Sequence, residues 1–170
     1  MPENTIYQIT GNVDRDIRQS YTGGAVDVYI PTNRRNISSL VNKYITPLFT
    51  KLYMYDVNSL YPFIMANTEM PVGLPVAFEG NILNINPTAY GFFYCKITSP
   101  NDLKYPVLLW RIQTSEGLRT VAGLGSWTGW IYSEEMYNAT KFFGYSFEVI
   151  RGYEFEKVTY LKITLKKCMS

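Results

Sequence analysis

One short segment, Leu52–Pro62, constrains the fold more than any other part of this 170-residue chain. Its first six residues are aromatic, apolar or β-branched apart from a single carboxylate, Asp56, and this pattern predicts a strand. Asn58 and Ser59 are residue types that cap helix N-termini, and Pro62 is tolerated in a first helical turn. The segment therefore predicts a strand that presents Asp56 at its end and turns directly into a short helix.

A carboxylate at the end of a strand has a chemical use. Asp56 would bind a hard cation such as Mg²⁺, which prefers one or two carboxylates together with waters and substrate phosphates. The unpaired N–H groups of the following turn, Ser59–Tyr61, would face a triphosphate, and Tyr61 would lie under its sugar. A capping Asp in an ordinary strand-to-helix turn also explains a bare D-x-x-S pattern, so the pattern alone leaves both interpretations open.

The complete string D-V-N-S-L-Y-P is more specific. It resembles motif A of family B DNA polymerases, in the form found in the protein-primed branch of bacteriophages, adenoviruses and linear mitochondrial plasmids. The resemblance implies that Asp56 is the catalytic metal-binding aspartate and that the backbone carbonyl of Val57 also reaches a metal ion. It further implies that Ser59 and Leu60 contact the triphosphate and that Tyr61 is the steric gate against a ribose 2′-OH.

A second match lies upstream, where Arg18 is followed at a short distance by the string Y-T-G-G. Two glycines after a tyrosine permit positive φ and a close approach of the backbone, so a tight turn explains them without a ligand. In its order and its distance from Asp56, the string resembles the Y-x-G-G/A element that contacts template DNA in the same family. On that resemblance Arg18, Tyr21, Gly23 and Gly24 bind DNA, through phosphate contacts and stacking.

A helix, a glycine and a strand are predicted near the end of the chain. Ser133–Phe143 has an N-cap serine, early acids and apolar residues at helical spacing, and Gly144 would end the helix. The alternating stretch Gly144–Phe155 predicts a strand, a turn and a second extended run. As an amphipathic helix packed on a sheet, this unit would bury Phe142 and Phe147. The order of the elements resembles the insertion that meets the terminal protein in protein-primed polymerases.

Several motifs of the family do not occur in this sequence: the Lys-x-x-x-Asn-Ser-x-Tyr-Gly fingers motif, the second metal-binding Asp, and the exonuclease motifs. Asp14 and Asp16 are isolated acids. A two-metal site needs carboxylates from different elements around ions roughly 3.5–4 Å apart. Six other acids, weighed as the second carboxylate, are interpreted as solvated loop residues or as helix N-terminal residues: Glu69, Glu79, Asp102, Glu116, Glu134 and Glu135. We therefore expect a truncated or frameshifted fragment that is inactive as a polymerase on its own.

The fold class predicted is α+β, a partial polymerase palm with an antiparallel sheet and packed helices, plus an inserted subregion. The expected division is an N-terminal segment (1–24), the first half of the palm (25–98), the insertion (99–157) and a divergent tail (158–170). The other predicted elements are strands at Ala25–Ile30, Gly91–Thr98, Tyr105–Arg111 and Arg119–Leu124, a helix around Ser38–Ile45, and connections at Pro31–Asn36, Pro71–Pro75 and Asn84–Pro87.

Composition narrows the function classes. A hydrophobic content of 46% is ample for a core, and a net charge of +2 is modest for a nucleic-acid binder. The chain has no His and two Cys, which excludes a His-based triad and a His-containing zinc site and provides no disulfide framework. Core or interface packing of Trp110, Trp127 and Trp130 is favoured over sugar stacking, although an aromatic-rich carbohydrate binder stays as an alternative.

The resemblance implies a DNA-directed DNA polymerase that transfers dNTPs to a primer 3′-OH on a DNA template with two Mg²⁺ ions, with terminal protein as a further partner. The sequence has no run of about 18 apolar residues that would span a membrane, and no Arg-rich import peptide. Synthesis inside a mitochondrion, from a linear plasmid, would explain the missing import peptide. The alternative function is a non-catalytic module that binds single-stranded DNA or terminal protein.

Overall fold

The computed structural model describes residues 8–23 and 54–159 of the chain. These residues form helices and antiparallel strand pairs, so the predicted α+β class is confirmed. The helices are α1 (Gly11–Ser20), α2 (Leu60–Asn67) and α3 (Ser133–Phe143), and the strands are β1 (Met70–Glu79), β2 (Gly91–Thr98), β3 (Leu109–Thr114), β4 (Gly117–Ala122), β5 (Ser126–Tyr132) and β6 (Ser146–Val158).

The main sheet has the strand order β1-β6-β2-β5, and β3 and β4 form a separate hairpin. Alternate residues of β2, namely Phe93, Cys95 and Ile97, are buried on one face of this sheet. Helix α3 covers that face with Met136 and Ala139. The period of two along the strand and the helical spacing of α3 thus meet in one core.

Helix α3 has the bounds that the sequence predicted, and Gly144 ends it in the left-handed conformation with φ 72°. Ser133 has a different role from the predicted N-cap, because Tyr132 occupies that position. The Ser133 Oγ instead accepts a hydrogen bond from the Gly91 N–H at 3.0 Å. The serine therefore joins the start of α3 to the start of β2.

The predicted strand-turn-strand over residues 144–155 is wrong, since β6 is one strand of 13 residues. A register shift in its pairing with β2, between Tyr94 and Cys95, accommodates the irregularity. Phe147 packs partly buried against the core, as predicted. Phe142 is 64% exposed, so the prediction that it is buried is wrong. It lies in the last turn of α3, and the Lys141 ammonium lies over its ring.

Several elements differ from their predicted form. The connection predicted at Pro71–Pro75 lies within β1, which pairs with β6 alone among the described strands and, as an edge strand of that set, tolerates proline. Helix α1 and strand β5 were not predicted from the sequence. Strand β3 begins later than predicted, and β4 begins and ends two residues earlier than Arg119–Leu124. The predicted elements Ala25–Ile30, Pro31–Asn36 and Ser38–Ile45 lie outside the described residues.

One sheet joins strands from both sides of the predicted boundary at residue 98, because β2 pairs with both β5 and β6. The division into palm and insertion at that position stays a prediction. Among the residues that the structure describes, no helix has the length and apolar character needed to cross a membrane.

Candidate functional site

The segment that leads into α2 differs from its predicted form. Residues 54–57 pair with no described strand, so the strand predicted before Asp56 is wrong over these residues, and residues 52–53 lie outside the described part. Ser59 does occupy the N-cap position of α2, with φ 52° in the left-handed region, but its side chain makes no capping hydrogen bond. Pro62 lies in the first helical turn, as predicted.

All five predicted metal- and nucleotide-binding residues lie at the surface: Asp56, Val57, Ser59, Leu60 and Tyr61. Tyr61 is 75% exposed and Val57 61%. The Asp56 carboxylate makes no hydrogen bond or ion pair with another described residue. Its oxygens are therefore open to a ligand, immediately before the N–H groups that begin α2.

Helix α2 is apolar yet exposed. Leu60, Phe63 and Met65 keep 43%, 60% and 45% of their surface, and no residue of the helix is fully buried. A contiguous exposed apolar surface of this kind marks an interaction site rather than a solvated face.

The Y-x-G-G element begins directly after α1. Tyr21 is 72% exposed, and its backbone carbonyl accepts a hydrogen bond from Arg111 Nη2 of β3 at 2.8 Å. Gly23 does not have positive φ, and a Cβ built on it meets no atom within 4 Å. The fold therefore gives no reason for glycine at position 23, and Gly24 lies outside the described residues.

Arg18, the predicted phosphate contact, pairs with Asp14 one helical turn away, with 2.8 Å between Nε and Oδ2. The hydrogen bond that Arg18 donates to Asp14, and then the charge of the Asp14 carboxylate, raise the pKa of the Arg18 guanidinium. The Arg18 side chain is 76% exposed, and exposed ion pairs of this kind contribute little in water. The guanidinium can therefore exchange Asp14 for another anion.

Asp16, which was predicted to be an isolated acid, is a buried residue of α1 that contacts strand β6. Its Oδ2 accepts a hydrogen bond from the Tyr153 hydroxyl of β6 at 3.0 Å, and it retains 7% of its surface. No local sequence signal distinguishes it from Asp14, since its partner lies 137 residues away.

A cleft of about 820 Å³ lies between the two motif-bearing segments. Tyr21 and Thr22 line it on one side, and Ile64 and Thr68 of α2 and its C-cap line it on the other. Phe92 and Tyr132 of the sheet also contribute, with the acids Glu69, Glu134 and Glu135. The structure therefore brings the Y-x-G-G element and the helix after Asp56 to one cleft.

Burial raises the pKa values of several acidic groups in and beside this cleft. Desolvation raises the pKa of the Glu135 carboxyl. The Tyr90 and Tyr132 hydroxyls share a short hydrogen bond, and burial raises the pKa of both phenols. Glu69 is neutralised by Lys157, with 2.8 Å between its Oε2 and the lysine Nζ. Glu134 and Glu135 are thus the cleft acids without an ion-pair partner among the described residues.

Within residues 8–23 and 54–159, no group of three or more His, Cys, Asp or Glu side chains could hold a metal ion. The Asp56 carboxylate is therefore not part of a closed metal site formed by these residues alone. The packing interpretation of the tryptophans is confirmed. Trp110 stacks on Trp127 at 5.2 Å between ring centroids, and Trp130 stacks on Tyr153 at 5.4 Å, with Trp127 and Trp130 each 9% exposed.

Residues 1–162 match the family described as DNA polymerase type B, organellar and viral. A "Probable DNA polymerase" of Ascobolus immersus is 36% identical over 163 residues, which cover 95% of this chain and 12% of that protein. One of Neurospora intermedia is 38% identical over 162 residues, 91% of this chain and 15% of that protein. One of Podospora anserina is 37% identical over 142 residues, 84% of this chain and 10% of that protein.

No solved structure matches the chain significantly. The chain spans between 10% and 15% of the length of these three curated relatives. The family match covers almost all of it, including both motifs and the whole of the main sheet. The chain is therefore a member of the organellar and viral type B DNA polymerases.

Proposed function

We propose that this chain supplies a palm segment to a protein-primed, DNA-directed DNA polymerase, which transfers dNTPs to a primer 3′-OH along a DNA template. The observation that carries the proposal is the Asp56 carboxylate, which is exposed at the start of α2 and makes no hydrogen bond or ion pair with a described residue. Family membership and the D-V-N-S-L-Y-P string support the same role.

The donor set around Asp56 fits Mg²⁺. This ion takes few protein carboxylates and keeps several waters and substrate phosphates, so one free carboxylate beside a backbone carbonyl is a suitable partial site. Asp56 and the Val57 carbonyl would hold the ion, which when bound would neutralise charge on the triphosphate.

The first turn of α2 would bind the nucleotide. The first N–H groups of a helix have no acceptor within the helix, so those of Ser59 and Leu60 are available to phosphate oxygens. The Tyr61 ring, 75% exposed in the same turn, would lie against the sugar and exclude a 2′-OH by steric contact.

The segment after α1 would contact the template. Tyr21 presents an exposed ring for stacking, and Arg18 presents an exposed guanidinium for phosphate, with Gly23 and Gly24 beside them. Because an exposed cation and an aromatic ring recognise any DNA strand, this contact would be independent of sequence. The insertion, residues 99–157, would meet terminal protein, and the enzyme would act in mitochondria, in keeping with the organellar family and its fungal members.

This segment alone would not incorporate nucleotides. A two-metal site requires at least a second carboxylate from another element, and no metal-binding group of acids occurs among the described residues. The rest of a polymerase would have to supply it.

The test uses a chimera in which residues 1–162 replace the matching residues of the Neurospora intermedia relative. Asp56→Asn should abolish primer extension, because the amide loses the charge that holds the metal ion, whereas the matched control Asp102→Asn, in an exposed turn, should retain it. Equal activity of the two variants would contradict the assignment of Asp56.

The steric gate is tested in the same chimera. Tyr61→Val should admit ribonucleotides, and the control Tyr105→Val, at another exposed tyrosine, should leave discrimination unchanged. Discrimination that persists in Tyr61→Val would remove Tyr61 from the site.

The second candidate is a non-catalytic module that binds single-stranded DNA or terminal protein. The observation that favours it is the attachment of the Tyr21 segment to β3 through Arg111, which does not involve Asp56. Salt-dependent binding of single-stranded DNA that survives Asp56→Ala and falls with Arg18→Ala, together with primer extension that Asp56→Asn leaves intact in the chimera, would support this candidate over catalysis.

A further inference from the structure

Four of the five described arginines have an oxygen partner. Arg15 lies 3.8 Å from Asp16 and Arg18 2.8 Å from Asp14; Arg111 donates to the Tyr21 carbonyl, and Arg119 pairs with Glu116. Arg151 of β6 differs. It lies at the surface, and its side chain makes no hydrogen bond or ion pair with any described residue. Its five N–H donors therefore have no acceptor within the described part of the chain.

Arg151 is nevertheless held in place by aromatic rings. On the face of the sheet opposite the core, it lies across from Tyr94 of β2, which in turn lies across from Trp130 of β5. The Arg151 Cζ is 5.3 Å from the Tyr94 ring centroid and 5.5 Å from that of Trp130. Tyr153 stacks on Trp130 with 8° between the ring planes. We call these four residues the Arg151 platform.

The rings of the platform are themselves fixed. The Tyr94 hydroxyl hydrogen-bonds to Thr128 at 3.3 Å, the Tyr153 hydroxyl donates to Asp16, and Trp130 is 9% exposed. A guanidinium on such a surface loses little further entropy when it binds an anion, and its planar fork matches phosphate oxygens in pairs.

The charges around the platform favour an anionic ligand. Lys96 lies two residues from Tyr94 on the same face of β2, and Arg15 of α1 acts electrostatically on the Tyr153 hydroxyl together with Arg151. Of the three carboxylates nearby, Asp16 is buried and accepts the Tyr153 hydrogen bond. Glu79 of β1 is exposed and lies across from Arg151, but it forms no ion pair with it. Glu148 lies across from Lys96 but forms no ion pair with it. The exposed charges near the platform are therefore three cations, Arg15, Lys96 and Arg151, and two carboxylates, Glu79 and Glu148.

We propose that the Arg151 platform binds the phosphodiester backbone of a DNA strand, with the Arg151 fork on one phosphate and Lys96 beside it. Contact with the backbone rather than the bases follows from the burial of Trp130, whose ring faces are already occupied by Tyr153 and Arg151. The proposal rests on the proposed function only in that DNA is the substrate. It adds a contact surface on the sheet, separate from Asp56 and from the Tyr21 segment.

The experiment measures binding of the 170-residue chain to a fluorescein-labelled single strand of about 20 nucleotides by fluorescence anisotropy, over about 50 to 200 mM salt. Arg151→Gln should weaken binding about fivefold at the low-salt end and reduce the slope of log K against log[salt] by about 0.7, the value for one lost phosphate contact on a single strand. Arg119→Gln, which removes the same charge from an exposed strand, should change affinity less than about twofold.

Two further variants separate the role of the fork from that of folding. Arg151→Lys keeps the charge and the position over the rings but loses the bidentate fork, so it should retain the salt slope and lose part of the affinity. Thermal unfolding of all variants shows whether the platform remains folded. If Arg151→Gln is unfolded, Arg151→Lys and Lys96→Gln test the platform instead. Lys96→Gln should reduce the salt slope by a similar amount.

Each outcome decides between specific alternatives. Binding by the wild type with equal effects of Arg151→Gln and Arg119→Gln would overturn the platform and leave the proposed function intact. Absence of wild-type DNA binding would overturn the platform, whereas the proposed function is decided separately by primer extension in the chimera. A loss in Arg151→Gln of binding to polyglutamate but not to DNA would assign the platform to an acidic protein partner instead.

Discussion

The Tyr153 hydroxyl donates a hydrogen bond to the buried Asp16 carboxylate at 3.0 Å and so joins two residues that are 137 positions apart. A second tie, from Arg111 to the Tyr21 carbonyl, spans 90 positions. Together they attach α1 and the start of the Y-x-G-G element to the strands of the predicted insertion. The position of the candidate template contact therefore depends on residues far along the chain.

Replacing Tyr153 by Phe tests the first tie. The variant leaves a buried carboxylate without its donor, so we expect a loss of about 1–3 kcal/mol in the free energy of unfolding, measured in urea. Tyr105→Phe removes a hydroxyl from a 69%-exposed ring and should be close to neutral. An equal, small effect of both changes would show that Asp16 does not depend on Tyr153.

Gly152 lies where strand β6 packs closely against β2 and the Phe78 ring. A Cβ at this position would lie 2.6 Å from the Phe92 carbonyl oxygen and 2.8 Å from Phe78 Cζ. We expect Gly152→Ala to destabilise the fold by about 1–3 kcal/mol, since overpacking forces backbone and ring displacement.

The matched control is Gly129→Ala in β5. The new Cβ there would contact only Trp127 Cδ1, at 4.0 Å. Because alanine also restricts the unfolded chain, this variant should be neutral or slightly stabilising. Equal losses in the two variants, compared by urea unfolding, would mean that glycine is required by strand conformation rather than by packing.

Cys95 predicts how stability depends on alkaline pH. Its side chain is fully buried, and burial raises the pKa of the thiol from 9.0 to about 12. Between these values the unfolded chain loses the thiol proton while the folded chain keeps it, so stability is fully present below pH 9 and falls as pH rises further. The slope contributed by this one group is up to about 1.4 kcal/mol per pH unit.

The measurement is urea unfolding between about pH 8 and pH 10, read as a difference between variants because the tyrosines of the unfolded chain also titrate near pH 10. Cys95→Ala should start less stable, because it leaves a cavity, but its stability should fall less steeply with pH. A wild-type slope in Cys95→Ala would assign the alkaline loss to other groups.

The elements that the sequence predicted correctly are those whose signals are local. Helix α3 has acids in its first turn and Gly144 at its end, and β2 alternates between buried and less buried residues over its whole length. The strands that were missed or misplaced depend on their neighbours. β1 contains Pro71 and Pro75 and is a strand only because β6 pairs with one of its edges.

The candidate site likewise contains residues with a local sequence signal and residues whose roles depend on distant contacts. The chemistry predicted for the Asp56 motif rests on seven consecutive residues, and the structure places all of the predicted ligands at the surface. The role of Asp16, the unpaired state of Arg151 and the tie between Arg111 and Tyr21 were not visible. Each depends on a contact, or on the lack of one, between residues on different elements, which no local pattern encodes.

Arg111→Met tests whether β3 positions the Tyr21 segment. The variant keeps the aliphatic packing of the side chain but removes the donor to the Tyr21 carbonyl, so the protection of the Tyr21–Gly23 amides against hydrogen exchange should fall. Global stability should change by about 1 kcal/mol or less, because the bond lies at the surface. Arg119→Met, an equal loss of charge on the partner strand of the hairpin, should leave that protection unchanged.

If Tyr21 positions the template, Arg111→Met should also weaken binding of single-stranded DNA more than Arg119→Met does. Unchanged exchange in both variants would show that the segment holds its place without β3.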